Sequence, residues 1–312
     1  MASDNPFPES AEKNHLRIFH LQHALADYCE SIGHPLSYFG LPSAEMRDVE
    51  MWRPLLSHIT AVERDPDVAL RMYRNAQKLG IRDKTVVIEM NLVEATKLLA
   101  MEDKEIELSL ALLPSSVRDR ITQVRRVSHH VVNLDLCGGF LYPSDRGESE
   151  NAKLLRNLIN FQAKQKTAFL LILTFALRDT GKDDYDSFIT ETLDHLNKLG
   201  INTSALRKHY TSTRSRVAEQ PPNLRRLRFC VPGYLHKIAF DNFQVSSLGA
   251  WYYKTFYHAI LFFEPRKGRS ALGKAWPPID EFKELLSAPM TRLKVNGVGE
   301  VIEEDLPAPS LP

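Results

Sequence analysis

The sequence predicts an α/β fold, a doubly wound and mostly parallel sheet ending in a C-terminal antiparallel hairpin, with an N-terminal helix before it and an extended tail after it. Three observations lead there. From Leu36 to Phe175, short apolar or β-branched runs alternate with segments of helical periodicity, and parallel neighbours need such helical crossovers. Near the end, YLHKIAFDNFQV (Tyr234 to Val245) and TFYHAILFFE (Thr255 to Glu264) read as strands with no helix between them, which predicts an antiparallel pair. The 312 residues are 43% apolar and 25% charged, the balance of a soluble globular chain rather than a fibre, a disordered segment or a membrane protein.

The elements follow in order. Between Ala11 and Ile32, Leu16, Phe19, Ala24, Leu25 and Tyr28 recur at three- and four-residue intervals until Gly33 and Pro35 stop the helix. LSYFG (Leu36 to Gly40) is the first strand, AEMRDVEMWRPLL a helix, and HITAVERD (His58 to Asp65) the second strand. Pro66 to Leu79 is helical, with proline in the first turn and Gly80 at the stop. TVVIEMN (Thr85 to Asn91) is a β-branched buried strand, Leu92 to Val117 a helix with a turn near Pro114, and HHVVNLDL (His129 to Leu136) the fourth strand. Helix from Ala152 to Gln165 precedes the strand Ala168 to Phe175, and Asp186 to Leu199 is a further helix. Residues 204–228 are polar and basic, with Pro221 and Pro222 interrupting regular structure. The tail from Pro265 ends in EEDLPAPSLP, whose acidic, proline-rich composition predicts partial disorder.

Charge and cysteines narrow the class. A net charge of +1 gives no global field toward nucleic acid, so any such attraction must be local. The run FLLILTFAL is too short for a bilayer, which takes about twenty residues, and no membrane partner is expected. MASDNPFPESAEKNH lacks the basic start and apolar block of a secretion signal, which predicts a cytoplasmic protein. Cys29, Cys137 and Cys230 are too far apart for a CxxC site and odd in number, so buried thiols are expected.

Ligands of open α/β sheets bind outside the carboxyl ends of the strands, where strand order reverses. That rule selects Gly40, Glu63, Asn91, Asn133 and Asp135. Glu63 follows Gly40 at close to the spacing of about 20 at which an acid accepts ribose hydroxyls; pairing with Arg64 or Arg71 is the plainer alternative. Asn91 could read an adenine edge or cap the next helix. In VVNLDLCGGF, Asn133 and Asp135 flank Leu134 and so project to one face, while Gly138 and Gly139 allow a tight turn. A turn-forming Asx pair is the alternative there.

With AVERDPDVALRMYRNAQKLG after the second strand and NLDLCGGF at the fourth, the chain resembles class I S-adenosylmethionine-dependent methyltransferases, Rossmann-like in fold. In motif order it is nearest the branch of tRNA guanine-N2 dimethyltransferases. The resemblance covers residues 36 to 264 and rests on motif order. It implies a helical extension at 1–35, a methyltransferase domain at 36–264 with a basic insertion at about 180–228, and a tail at 265–312. It also implies S-adenosylmethionine as cofactor and a nucleic acid or other macromolecule as substrate. Phe39 and Gly40 would then lie in the cofactor loop, Glu63 on the ribose, Asn91 near the adenine, and Asn133 with Asp135 at the methyl group as the catalytic pair. The sequence departs from the family in two places. FGLPSAEM has a single glycine where the family has several, and Leu136 and Cys137 stand where amino-methylating members carry Pro-Pro or Pro-Tyr. An inactive methyltransferase-like interaction protein, with a protein partner in a multi-protein bacterial system, is the competing expectation.

Arg207, Lys208, Arg214, Arg216, Arg225, Arg226 and Arg228 face one acid, Glu219, between Leu206 and Arg228. Such a cluster can neutralise phosphates, so nucleic acid is the partner it would serve; a solvated loop is the alternative. His20 and His23 are spaced to meet on one helix face, but with no carboxylate or cysteine at ligand spacing no metal site is expected. His129 and His130 open a strand and are expected to pack. VSSLGAW lacks the GxSxG elbow of a hydrolase.

Overall fold

The computed structural model describes residues 10–136, 149–176, 182–200, 202–204, 206–207, 222–266 and 278–306. The described strands are β1 (Leu36–Gly40), β2 (Leu56–Glu63), β3 (Thr85–Glu89), β4 (Val131–Leu136), β5 (Phe169–Ala176), β6 (Phe243–Tyr253), β7 (Phe256–Pro265), β8 (Met290–Val295) and β9 (Val301–Leu306). They hydrogen-bond in the order β3-β2-β1-β4-β5-β7-β6-β8-β9. β1 pairs parallel with β2 and β4, and β2 pairs parallel with β3. β6 and β7 are antiparallel. The fold is therefore the doubly wound, mostly parallel α/β sheet with an antiparallel hairpin. By contact density the chain forms two compact units, Met1–Asp135 with Lys153–Ile172 and Val295–Val301, and Leu136–Ala152 with Leu173–Lys294 and Ile302–Pro312.

In the first unit, all five residues of β1 are buried, and so are Ile59 to Val62 of β2 and Thr85 to Ile88 of β3. Strands covered on both faces need such continuous apolar runs. The leading helix has three parts: α1 (Ala11–His15), a π-helical stretch (Leu16–Leu21) and α2 (Gln22–Ile32), which stops at Gly33 with φ 71. After β1 comes the short α3 (Arg47–Trp52), entered through Met46 in the left-handed region at φ 54. α4 (Pro66–Lys78) is capped by Asp65, which accepts the amides of Asp67 and Val68.

The segment 92–117, expected as helix with a turn near Pro114, breaks into α5 (Leu92–Ala100), α6 (Asp103–Ala111) and the start of α7 (Ser115–Val124). Extended backbone at Met101 makes the first break, and the turn at Pro114 makes the second, as expected. α8 (Glu150–Gln165) leads into β5.

In the second unit, α9 (Lys182–Lys198) is followed by α10 (Pro222–Ala239). α10 corrects two expectations, because Tyr234 to Ala239 is helix rather than strand and the basic stretch from residue 222 onward is ordered. The residues from Arg228 to His236 are all buried, and a stretch buried on every side hides the amphipathic period by which a helix is read. Gly233 sits where a methyl group would strike the Thr192 side chain of α9. The tail is also more regular than its composition suggested. α11 (Pro278–Ser287) buries Phe282, Leu285 and Leu286, and β8 adds parallel to β6. No described helix is long and apolar enough to cross a membrane.

Candidate functional site

The strand order turns back between β1 and β4, and both strands belong to the first unit. Parallel pairing brings their carboxyl ends together, with Gly40 opposite Asn133, and sets Ala61 of β2 on the other side of Gly40. Phe39 and Gly40 are buried, Asn133 is 5% exposed, and Asp135 is half-buried. The sequence-predicted residues Gly40, Asn133 and Asp135 therefore meet at one place.

That place is densely charged. Asn133 and Asp135 project to the same face of β4, as strand alternation requires. The Asn133 side-chain amide donates to Asp48 Oδ2 at 3.0 Å. Lys13 Nζ donates to Asp135 Oδ2 at 2.5 Å. Arg17 pairs with Asp48 through its Nε, and its Nη1 donates to Asn14 at 3.1 Å. Asp135 Oδ1 is buried without a hydrogen bond among the described residues. The Tyr38 ring is fully buried, and burial, followed by the Asp48 carboxylate, holds its phenol pKa well above the ordinary value; Asp135 adds to this, and Asn133 and Arg17 oppose it. Two acids, two cations, an amide and a phenol thus share one partly desolvated cluster.

Gly40 is needed here for close approach rather than for an unusual φ. A side chain on it would strike the Asn133 carbonyl oxygen and the Tyr38 phenol, and Leu41 donates its amide to that same carbonyl at 3.2 Å. The missing side chain makes room for β4 and Tyr38.

Glu63 ends β2 half-buried, and its Oε1 accepts the Asp65 amide at 2.9 Å. Among the described residues neither Arg64 nor Arg71 pairs with it, so Oε2 retains its full acceptor capacity. Asn91 caps α5 by accepting the Val93 amide at 2.8 Å, the capping alternative stated from sequence. Its side-chain oxygen is therefore engaged.

Lys13, Arg17, Tyr38 and Asp48 were missed in the sequence. One signal was available, since Lys13 and Arg17 are like charges four residues apart, an unfavourable pair on a helix unless acids oppose them. Cys137, Gly138 and Gly139 lie outside the described residues.

The basic segment is only partly visible. Arg207 bonds Asp194 at 3.2 Å, while Lys208, Arg214 and Arg216 lie outside the described residues and Arg225 and Arg226 fall on the part of α10 whose side chains are not described. Arg228 is buried and donates to the Ala288 carbonyl at 2.9 Å, which removes it from any exposed basic patch.

Histidine placement differs from expectation in one respect. The π-helical stretch, in which Gln22 donates to Arg17 five residues back, aligns residues five apart. It is therefore His15 and His20 whose rings meet, at 5.7 Å, and His23 instead bonds the Phe19 carbonyl.

Fold and site together define a doubly wound α/β protein with a polar cluster at its strand-order switch. Residues 19–226 match the PP_RS20740-like family model, more than half of the chain, and the chain belongs to that family. No curated protein matches the sequence. Among solved structures, an rRNA methylase from Streptococcus thermophilus is similar at 6% identity and TM-score 0.38, over 78% of this chain and 95% of its own. The N-methyltransferase NodS from Bradyrhizobium japonicum, solved with S-adenosyl-L-homocysteine, is similar at 10% identity and TM-score 0.36, over 85% and 90%.

Proposed function

We propose that this chain binds S-adenosylmethionine at the carboxyl ends of β1, β2 and β4 and is a methyltransferase acting on a large substrate. The observation that carries the reading is Gly40 in register beside Asn133 at the switch point, with Asp135 on the same face of β4. The fit of the residues to the cofactor is uneven. Glu63 has a free carboxylate oxygen suited to ribose hydroxyls, which are neutral donors that a carboxylate accepts well. Asn91 keeps only its amide donors. Asp135 is available only once Lys13 moves away.

The bound cofactor would supply an electrophilic methyl group; the protein's contribution is alignment. Asp135 would take up or orient the proton of the acceptor nucleophile, and Asn133 would hold Asp48 beside it. Nucleic acid as the acceptor has only the sequence composition of Lys208 to Arg226 in its favour, since Arg207 is bonded to Asp194 and Arg228 is buried.

Calorimetric titration of the full-length protein with S-adenosylhomocysteine tests the binding step. Saturable binding is expected, weakened about tenfold or more by Glu63→Ala through loss of charge-assisted hydrogen bonds. Equal affinity in the wild type and Glu63→Ala, or no saturable heat at millimolar ligand, would remove this reading.

The filled space at Gly40 and the ion pair on Asp135 favour a second reading, a methyltransferase-like interaction protein without turnover. Binding of the cofactor without methyl transfer to any RNA, DNA or protein acceptor would select it.

A further inference from the structure

Both charged partners of Asp135 and Asp48 described above come from one short segment. Lys13 of α1 holds Asp135, and Arg17 of the π-helical stretch holds Asp48. Both pairs are largely withdrawn from water, with side-chain exposures of 19% and 19% in the first and 7% and 14% in the second. Ion pairs so placed are individually poor sources of stability, because desolvation offsets most of the attraction. Their specificity is the more telling feature.

The middle of the segment is π-helix, a rare geometry that frequently occurs at functional sites. Leu16 and Leu21 anchor it inward, whereas Ile18 and Phe19 on its outer side are 43% and 53% exposed. Release must therefore expose Leu16 and Leu21, which are 1% and 4% exposed in this arrangement, while Ile18 and Phe19 already face water. Asp135 Oδ1 is buried with no hydrogen bond among the described residues, so the carboxylate keeps acceptor capacity that a ligand with more donors than Lys13 could use.

We propose that residues 11–21 are an intramolecular inhibitor of the β1–β4 site: Lys13 and Arg17 occupy its two carboxylates, and ligand binding requires their release. The inhibitor rests on the cofactor reading above and predicts a regulated site.

The experiment compares full-length wild type, Lys13→Met, which keeps the length of the side chain, and Lys13→Arg, which keeps its charge. Hydrogen exchange reports release of residues 11–21, and calorimetry reports affinity for S-adenosylhomocysteine. Lys13→Met should speed exchange in that segment, leave the β1 and β2 amides protected, and tighten binding about tenfold, within the ordinary range of coupling between linked equilibria. Lys13→Arg should behave as wild type. A segment freed in Lys13→Met with wild-type affinity retained overturns the inhibitor and leaves the cofactor reading intact. A freed segment with no binding in any of the three proteins overturns both. Unchanged exchange in Lys13→Met shows that the ion pair does not hold the segment and overturns the inhibitor alone.

Discussion

At the scale of single residues, Gly40 shows how one position can be found from sequence while its purpose is not. A glycine ending the first strand of such a sheet suggests an approach route for a phosphate or nucleoside. In this chain the space is taken by the Asn133 carbonyl and the Tyr38 phenol. Substituting alanine would therefore press a methyl group onto backbone of the neighbouring strand, where nothing yields easily. Gly40→Ala should lower stability by about 1–3 kcal/mol, the usual cost of overpacking a filled interior. The midpoint of urea denaturation, at unchanged slope, measures it; a midpoint equal to wild type would show that β4 relaxes and that the site is looser than its contacts imply. Asn133 and Asp135 were legible because strand alternation fixes their common face. Lys13, Arg17 and Asp48 were not, because nothing in sequence distance announces that Lys13 will meet Asp135.

At the scale of elements, what was legible depended on how each element is buried. β1, β3 and β5 are apolar runs covered on both sides, and α4 carries its cap and its stop in Asp65, Pro66 and Gly80, so local rules sufficed. α10 was illegible since burial on every side from Arg228 to His236 hides the helical period, and the break between α5 and α6 was illegible because it is made from outside the segment. The guanidinium of Arg125, just beyond α7, donates to the carbonyls of Leu98, Leu99 and Met101 and to the Asp103 carboxylate. A helix leaves its last carbonyls without partners, and here one distant cation serves two of them, Leu98 and Leu99, together with that of the capping Met101. Arg125→Met keeps most of the packing and removes these donors. It should cost about 2–3 kcal/mol, as expected for hydrogen bonds to a charged donor, and should speed amide exchange at the end of α5 before it affects β1 or β2. Loss of stability spread evenly through the protein, with no local opening of α5, would contradict this account.

At the scale of the whole molecule, acid sensitivity follows from one buried neutral histidine in each unit. His129 is fully buried beside Thr60, and burial, with His58 and His130 nearby, lowers its pKa from 6.5 to about 3. His236 is fully buried among His195, Phe240 and Phe282, and burial, then His195 and Arg266, lowers it likewise to about 3. Folding thus favours the neutral ring in both. The resulting stability is complete above pH 6.5, declines as pH falls below it, and is fully lost near pH 3. At about 1.4 kcal/mol per pH unit, each histidine accounts for about 2 kcal/mol of loss by pH 5, a window in which ordinary carboxylates remain ionised. Both ring nitrogens of His236 lack hydrogen-bond partners among the described residues, and its neighbours are aromatic, so His236→Phe fits the same space without an unsatisfied polar atom. That variant should match or exceed wild type at pH 7.5 and lose about 2 kcal/mol less than wild type between pH 7.5 and 5, with His129 left to account for much of the remainder. Denaturant curves at the two pH values decide the matter: parallel losses in the two proteins would mean that His236 is charged, or reaches water, in the folded state, and that the acid sensitivity of the chain has another origin.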